Sequence, residues 1–470
     1  MGIAVETLNY RKNNSIVSCW LFVALFLGAI ASPAEAARPL TAAQISVYES
    51  ADEGQRVHFL IERAKMGDSE LVETLLQHYP LVGAHAPNRT LFIQGLVLES
   101  QSNLTGAAKK YREALARDPS LTLVRVQLAQ VLGSLGQDDS AKHHLQLLEA
   151  EAPNDDVANS IKSFMDRIDA KRPITFSGFV SAAPSTNINS GSSHTQVYAP
   201  GFGQDVTFDI YAADQKQSGI GIAAGVSAGF SKRLGNHWEA VLAADISTGI
   251  YADKDYNSVG LSQSAEMRYH LKNGYLGIGG IADQTVNPNA NDLLTNGLTY
   301  HSFGPRLSML RFLGNHNMLH ASAVYEWRDY ANSTLLDGSA FLSEASINHG
   351  IDQTSNFTVS GGFDKINSNL ASQSYGTYFG VFGLYKELPM GISLNANTQA
   401  RFSTFDELNS SFMVTRQDQR YVGAIAITKR DLNFYGFAPE VTYTYTRNVS
   451  NIALYDYDSH AVDLRLTKDF

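Results

Sequence analysis

Gly219-Ile220-Gly221-Ile222-Ala223-Ala224-Gly225 has the look of a dinucleotide-binding turn, in which glycines let the backbone approach a pyrophosphate. Its third glycine stands one place too late, and the residues after it alternate like a strand where the fingerprint requires a helix. The stretch is therefore expected to be a glycine-rich strand facing lipid. His143 and His144 are adjacent, which on a helix surface sends the two imidazoles in different directions and leaves no shared metal site. Glu239, Asp245, Glu266 and Glu440 could supply carboxylates for acid–base work, but they sit in mid-strand among polar neighbours, as residues wetted by a lumen would. The one cysteine, Cys19, excludes both a disulfide framework and a Cys-based zinc site. No Ser/His/Asp arrangement can be named. The expectation is a protein that is not an enzyme and holds no cofactor, no metal and no catalytic residue.

The composition favours architecture over catalysis. With 44% apolar residues in 470, the chain can bury large cores, which excludes global disorder. A formal net charge of -10 has the wrong sign for a general nucleic-acid binder. The 37 Gly and 22 Tyr against only 17% charged residues favour many strands and turns. At the N-terminus Arg11 and Lys12 precede an apolar run from Ile16 to Ala31, followed by Ala34-Glu35-Ala36. This is the three-part pattern of a secretory signal peptide over 1–36, with a retained signal anchor as the alternative. Cleavage after Ala36 would remove Cys19 and leave a thiol-free chain suited to the bacterial envelope.

From about Thr41 to Ala170 the apolar residues fall at helical spacing, and the region repeats itself. Asn88 to Leu121 places Gly95, Leu98, Ala107, Tyr111, Ala114 and Pro119 where a tetratricopeptide repeat needs them. The segment from Thr122 sets Leu128, Ala129, Leu132, Ala141, Leu145 and Pro153 on the same lattice. Small residues at these points let antiparallel helices approach closely. Glu53 to Tyr79 reads as a degenerate pair turning at Gly67-Asp68, and Asn154-Asp155-Asp156 as the cap of a last helix. The inner helices are expected to expose Arg89, Phe92, Leu96 and Glu99, then Leu123, Val126 and Gln130, on a concave face. That face could take a peptide or protein segment, or the residues could pack against the neighbouring repeat or the next domain.

After Lys171-Arg172-Pro173 a period of two replaces the helical one, which sets the expected boundary between a helical domain over 37–172 and a second domain over 173–470. Trp238, Leu242, Ile246 and Ile250 share a face opposite Glu239 and Asp245, and Leu261, Ala265, Met267 and Tyr269 oppose Ser262, Glu266 and Arg268. Ile392, Leu394 and Phe402 oppose Asn395 and Arg401, and Tyr435, Phe437, Val441, Tyr443 and Tyr445 oppose Gly436 and Glu440. Leu298 to Arg311 carries apolar residues on both faces. Long strands, apolar on one side and polar on the other, with short turns such as Asn273-Gly274 alternating with longer loops such as Thr186 to Gln217, describe a transmembrane barrel. About fourteen strands fit between Ile174 and Phe470. The expected fold is thus an N-terminal tetratricopeptide-like helical solenoid followed by an antiparallel outer-membrane β-barrel.

In the terminal strand Val462, Leu464, Leu466 and Phe470 lie on one face and end on Phe, which resembles the C-terminal signal by which outer-membrane barrels are recognised for assembly. The first strand and loop, Gly178-Phe179-Val180-Ser181-Ala182-Ala183-Pro184-Ser185-Thr186-Asn187-Ile188-Asn189, is similar to the P-D-S-N-I-N stretch of the surface lipoprotein assembly modifier family, the translocators of type XI secretion. Pro184, Asn187, Ile188 and Asn189 are kept, whereas Ser185 replaces the Asp and Thr186 the Ser, so no role resting on that carboxylate carries over. Asx-turn chemistry at a strand end would explain the same residues. The resemblance implies a non-enzymatic translocator that moves a surface lipoprotein, or a related secreted haem- or metal-scavenging protein, across the outer membrane. Its helical domain would stand in the periplasm as a client or chaperone receptor, and its partners would be the client, the lipid bilayer, the barrel assembly machinery and periplasmic chaperones, with no nucleic acid. The alternatives are an exopolysaccharide exporter with repeats and a barrel, or an adhesin anchored by one.

Overall fold

The structure, a computed structural model, describes residues 42–467 except 151, 153, 172, 203–205, 236, 288–298, 314–316, 332, 353, 431 and 433–436. The expected signal peptide, Phe470, Pro153, Tyr435 and Gly436 lie outside the described residues. The chain divides into two compact units, one carried by helices and one by strands.

The helical unit runs α1 (Ala42–Ser50), α2 (Glu53–Lys65), α3 (Ser69–His78), α4 (Ala86–Ser100), α5 (Leu104–Arg117), α6 (Thr122–Leu135), α7 (Asp138–Ala150) and α8 (Asp155–Lys171). Local chemistry sets the ends. Asp52 and Gln55 form a reciprocal capping box at α2, with Gln55 N donating to Asp52 Oδ1 at 2.8 Å. Gly67 turns the chain in the left-handed region at φ 85°, between α2 and α3 where the turn is expected. Gly136 closes α6 at φ 77°, with Gln137 N reaching back to Leu132 O at 2.9 Å, a Schellman-type end. Asn154 Oδ1 accepts from Val157 N at 3.0 Å and caps α8.

Close approach of the paired helices follows from the small residues. A Cβ on Gly95 would stand 2.2 Å from the Tyr111 ring, so α4 and α5 can meet there only through glycine. Ala107, Ala114, Ala129 and Ala141 are fully buried beside Leu128, Leu132 and Leu145 in one continuous core. Burying each such leucine contributes roughly 1.5–3 kcal/mol, which makes this core the main source of the unit's stability.

The strand unit is a closed antiparallel barrel of fourteen strands among the described residues. They are β1 (Ile174–Ser185), β4 (Gly219–Leu234), β5 (Trp238–Tyr251), β6 (Ser258–Leu271), β7 (Gly274–Val286), β8 (Tyr300–Leu313), β9 (Asn317–Tyr330), β10 (Gly338–Asp352), β11 (Ser355–Ser368), β12 (Tyr375–Leu388), β13 (Ile392–Asn409), β14 (Val414–Lys429), β15 (Ala438–Ser450) and β16 (Tyr457–Thr467). Each pairs with its sequence neighbour, and β1 pairs with both β4 and β16 to close the ring. Two short strands, β2 (Gln196–Tyr198) and β3 (Thr207–Asp209), pair with each other inside the β1–β4 loop.

The pleat sorts the barrel residues. Ile220, Ile222, Val226, Leu242, Ile246, Ile250, Phe303, Leu307, Phe382, Ile425, Leu464 and Leu466 are exposed on the outer face, where water would be costly company and lipid is not. Aromatic pairs flank this band at both ends: Trp238 against Tyr269 near the short turns, and Phe303 and Tyr325 against Trp327 near the long loops. No described helix is long and apolar enough to cross a membrane. The segment with apolar residues on both faces resolves as β8, whose Phe303 and Leu307 face out while Ser302 and Ser308 are buried inside.

The Gly219–Gly225 stretch is a strand facing lipid, as expected, and the structure adds where its glycines lie. The isoleucines of β4 face lipid, but the glycines lie on the inner face and are covered there. Added Cβ atoms would meet Ile188 Cδ1 at 2.9 Å from Gly219, the Tyr251 ring at 2.5 Å from Gly221 and the Phe179 ring at 2.5 Å from Gly225. The absence of side chains on β4 makes the space that neighbouring rings fill.

Candidate functional site

The lumen wall repeats one arrangement: a carboxylate, an arginine and an aromatic ring. Glu266 accepts from Arg268, whose guanidinium lies 4.4 Å from the Tyr275 ring centroid. Glu326 accepts from Arg328 at 2.7 Å, with Tyr300 beside the guanidinium. Asp364 pairs with Arg401 over Phe379, and Asp418 with Arg416 between Phe405 and Tyr455. Asp463 and Arg465 repeat it against Phe179. Four of these pairs are two residues apart on one strand, because residues i and i+2 share a face. An arginine held on one side by a carboxylate and on the other by a ring is neutralised and positioned at once.

The carboxylates expected as wetted lumen residues are more engaged than that. Glu266 is buried and also accepts from Ser308 Oγ at 2.9 Å. Glu239 meets His270 Nε2 at 2.9 Å, and Glu440 accepts from Thr428 Oγ1 at 2.8 Å; Asp245 alone of the four is exposed. The reason is register: the neighbouring strand brings a donor to Glu239 and to Glu440, and Ser308 reaches Glu266 from β8 across the glycines of β7. Among the described residues no group of three His, Cys, Asp or Glu side chains is placed to hold a metal.

In the helical unit the expected concave face is corrected in part. Phe92, Leu96 and Val126 are not exposed; they are buried in the helical core. Leu123 packs against that core. Arg89 is ion-paired with Glu53 at 3.0 Å, and Gln130 is half-buried. Glu99 accepts from the buried Tyr111 hydroxyl at 2.9 Å. Burial raises the Glu99 carboxyl above its ordinary range, and the Tyr111 hydrogen bond offsets part of that. The phenol of Tyr111 is itself pushed up, first by burial and then by the nearby Glu99. His144, expected on a helix surface, is buried, with Nδ1 3.1 Å from an Arg125 guanidinium nitrogen.

The first outer loop, residues 186–218, is where the polar side chains of the P-S-T-N-I-N stretch converge. Asn187 is buried: its amide donates to Gly191 O at 2.9 Å and Asp458 O at 3.0 Å, and its oxygen accepts from Gly191 N at 2.9 Å. Asn189 donates to Ala213 O and Gln215 O, both at 2.9 Å, and accepts from Gln217 N at 3.0 Å. The motif thus ties both ends of the loop together, as Asx side chains do in turns, but over a span far longer than a turn. Ile188 packs on Gly219. Pro184 opens the motif one residue before the end of β1 and has no N–H to give to a ladder.

The loop also reaches the last hairpin. Ser193 Oγ donates to Asp458 Oδ1 at 2.9 Å, Lys216 bridges to Asp458 Oδ2 at 2.6 Å, and Ser192 Oγ donates to Ala453 O at 2.6 Å. Val197 and Ile210 form a small core with Ile452, flanked by Phe412 and Tyr455. In the terminal strand Leu464 and Leu466 face lipid, with Val462 on the same side of the pleat.

A family described as surface lipoprotein assembly modifier matches residues 175–470, and its N-terminal tetratricopeptide repeats match residues 52–145. The chain is similar to the hemophilin secretion modulator of Acinetobacter baumannii, 23% identical across 84% of this chain and 82% of that one. It is also similar to surface lipoprotein assembly modifier 1 of Haemophilus influenzae, 22% identical across 87% of this chain and 84% of the relative. A surface lipoprotein assembly modifier of Pasteurella multocida is 22% identical over 87% and 82% of the two chains.

Proposed function

Because the chain belongs to the surface lipoprotein assembly modifier family, we propose that it is an outer-membrane translocator delivering a surface lipoprotein, or a related secreted haem-binding protein, to the outside of the cell. The observation that carries this reading is the agreement of repeats and barrel in a single chain with the family's two parts in the same order. The barrel supplies the crossing, and its lumen wall of neutralised ion pairs presents a polar surface without a strong field of either sign. The helical unit, over about 37–172, is a periplasmic receptor for the client or for a chaperone carrying it. The barrel is inserted by the assembly machinery, which reads the terminal Val462, Leu464, Leu466 and Phe470. The protein carries out no covalent chemistry, and the driving force is client folding, binding or trapping outside.

Removing residues 38–171 tests the receptor role. All barrel strands remain, so heat-modifiable migration should persist. The client should accumulate in the periplasm and lose antibody and protease access on intact cells. Normal client exposure with the truncated protein would return the helical unit to a structural role.

A further inference from the structure

The β1–β16 seam differs from the other edge of β1. Against β4 the pairing is continuous from Ile174↔Phe230 to Ser185↔Gly219. Against β16, among the described residues, it runs from Phe179↔Thr467 to Ala182↔Leu464, lapses opposite Ala183 and Pro184, and returns for the single position Ser185↔Ala461. Proline explains the lapse, since it offers no donor. Pro305 makes a similar break between β8 and β9, but there the ladder resumes at Arg306↔Val324 and continues to Leu313↔Asn317. Past Pro184, by contrast, the wall is held by the first outer loop.

Those holding bonds are polar and mostly made by side chains. Ser185 Oγ and Ser459 Oγ are 3.1 Å apart, Thr186 and His460 exchange two bonds of 2.9 Å, and Asn187 reaches Asp458 O. Such groups can trade partners with water at the membrane surface, whereas a ladder inside the bilayer would leave its backbone groups unsatisfied on opening. The loop's grip depends on Asn187 and Asn189, which hold its two ends in register. The stretch shared with the family is thus spent on fastening this seam.

We propose that the outer part of the β1–β16 seam opens sideways during passage of the client, and that the first outer loop, pinned by Asn187 and Asn189, is the latch that keeps it shut at rest. This rests on the translocator reading. Asn187 and Asn189 are positioning residues: they act on the seam through the loop.

The test is a reversible cross-link. In a Cys19→Ser background, Ser185→Cys with Ser459→Cys places two thiols where the hydroxyls are already adjacent, a separation within reach of a disulfide. Ala243→Cys with Ser264→Cys makes a control link across a directly paired position of β5 and β6. The expected result is that the oxidised seam link lowers client exposure on intact cells at least tenfold, that reductant restores it, and that the control link leaves it unchanged. Full delivery through the oxidised seam link would overturn the latch and leave the translocator reading standing. Equal loss with both links would overturn it as well, by assigning the effect to stiffening of the whole wall. If deleting the entire protein leaves client exposure unchanged, the translocator reading fails first and the latch fails with it. Asn187→Asp keeps the shape of the side chain and removes its donor. With heat-modifiable migration intact, it should raise entry of a large, normally excluded antibiotic several-fold, and restoration of Asn should reverse this; unchanged entry counts against the latch.

Discussion

The helical unit hides its leucines and the barrel displays them. In the first, Leu60, Leu128, Leu132 and Leu148 are fully or almost fully buried, whereas Leu242, Leu307, Leu464 and Leu466 in the second are about half exposed on the outer face. The barrel's interior is instead filled with Glu266, Glu326, Ser302 and Thr377. One chain therefore satisfies the same rule against two solvents. Apolar groups leave water in both cases, for a core in one and for lipid in the other. What holds each together differs accordingly: close packing in the helices, and backbone ladders with paired charges in the barrel.

The sharpest way to break that comparison is to make one substitution in both places. Leu132→Ala or Leu148→Ala should cost the helical unit about 2–5 kcal/mol, read as a lower midpoint of its helical melting, because a cavity is left in a packed core. Leu242→Ala should leave the barrel's heat-modifiable migration unchanged, since lipid fills the space. The barrel's own sensitivity appears when charge is put on that face: Ile246→Arg should cost roughly 2–4 kcal/mol if the site lies near the bilayer midplane, and lower the amount of folded barrel. Equal loss from both leucine changes would mean the barrel face is packed against protein.

A smaller effect is expected where two helices touch. Gly95→Ala pushes a methyl group into the Tyr111 ring and should destabilise the helical unit by about 1–3 kcal/mol through overpacking. Combining it with Tyr111→Leu should recover part of the loss, and no recovery would place the strain elsewhere.

The smallest effect concerns Glu99. Its folded-state carboxyl is raised, so the folded unit takes up that proton more readily than the unfolded chain. Its contribution is fully present below the unfolded carboxylate range, near pH 4, and is lost as pH rises through the raised folded value. Glu99→Gln keeps an acceptor for the Tyr111 hydroxyl and should flatten this slope, with a gain of about 1 kcal/mol or less at neutral pH. A slope unchanged in the variant would assign the pH dependence to another group.

Much of the fold was legible because two periods are hard to confuse. Spacing near 3.6 marked α4 to α7, and Gly95 with Tyr111 stood on the repeat lattice before their contact was known. Alternation marked β5, β6 and β13 with the correct outward faces. Legibility ended where a residue had more than one apolar neighbour to choose from. Phe92, Leu96 and Val126 lie on helices packed on more than one side, and a periodic pattern says only that some side is buried, so it leaves open whether they face a groove or the neighbouring repeat.

The carboxylates show the same limit in the barrel. Mid-strand acids between apolar residues announce a polar interior from the sequence, yet nothing local says that Ser308 will face Glu266 or that Arg401 will face Asp364, because strand register depends on turns and closure. The first outer loop is the extreme case. The Asn187-Ile188-Asn189 motif could be read as turn chemistry from its own residues, while its contact with the last hairpin joins positions as far apart as Ser185 and Ser459, separated by 274 residues. Composition, periodicity and motif spacing are local properties, and they determined by themselves that the chain would form repeated helices and then alternating strands. Which side chains meet across the closed seam was decided only when the ring closed, because closure alone brings the first and last strands side by side.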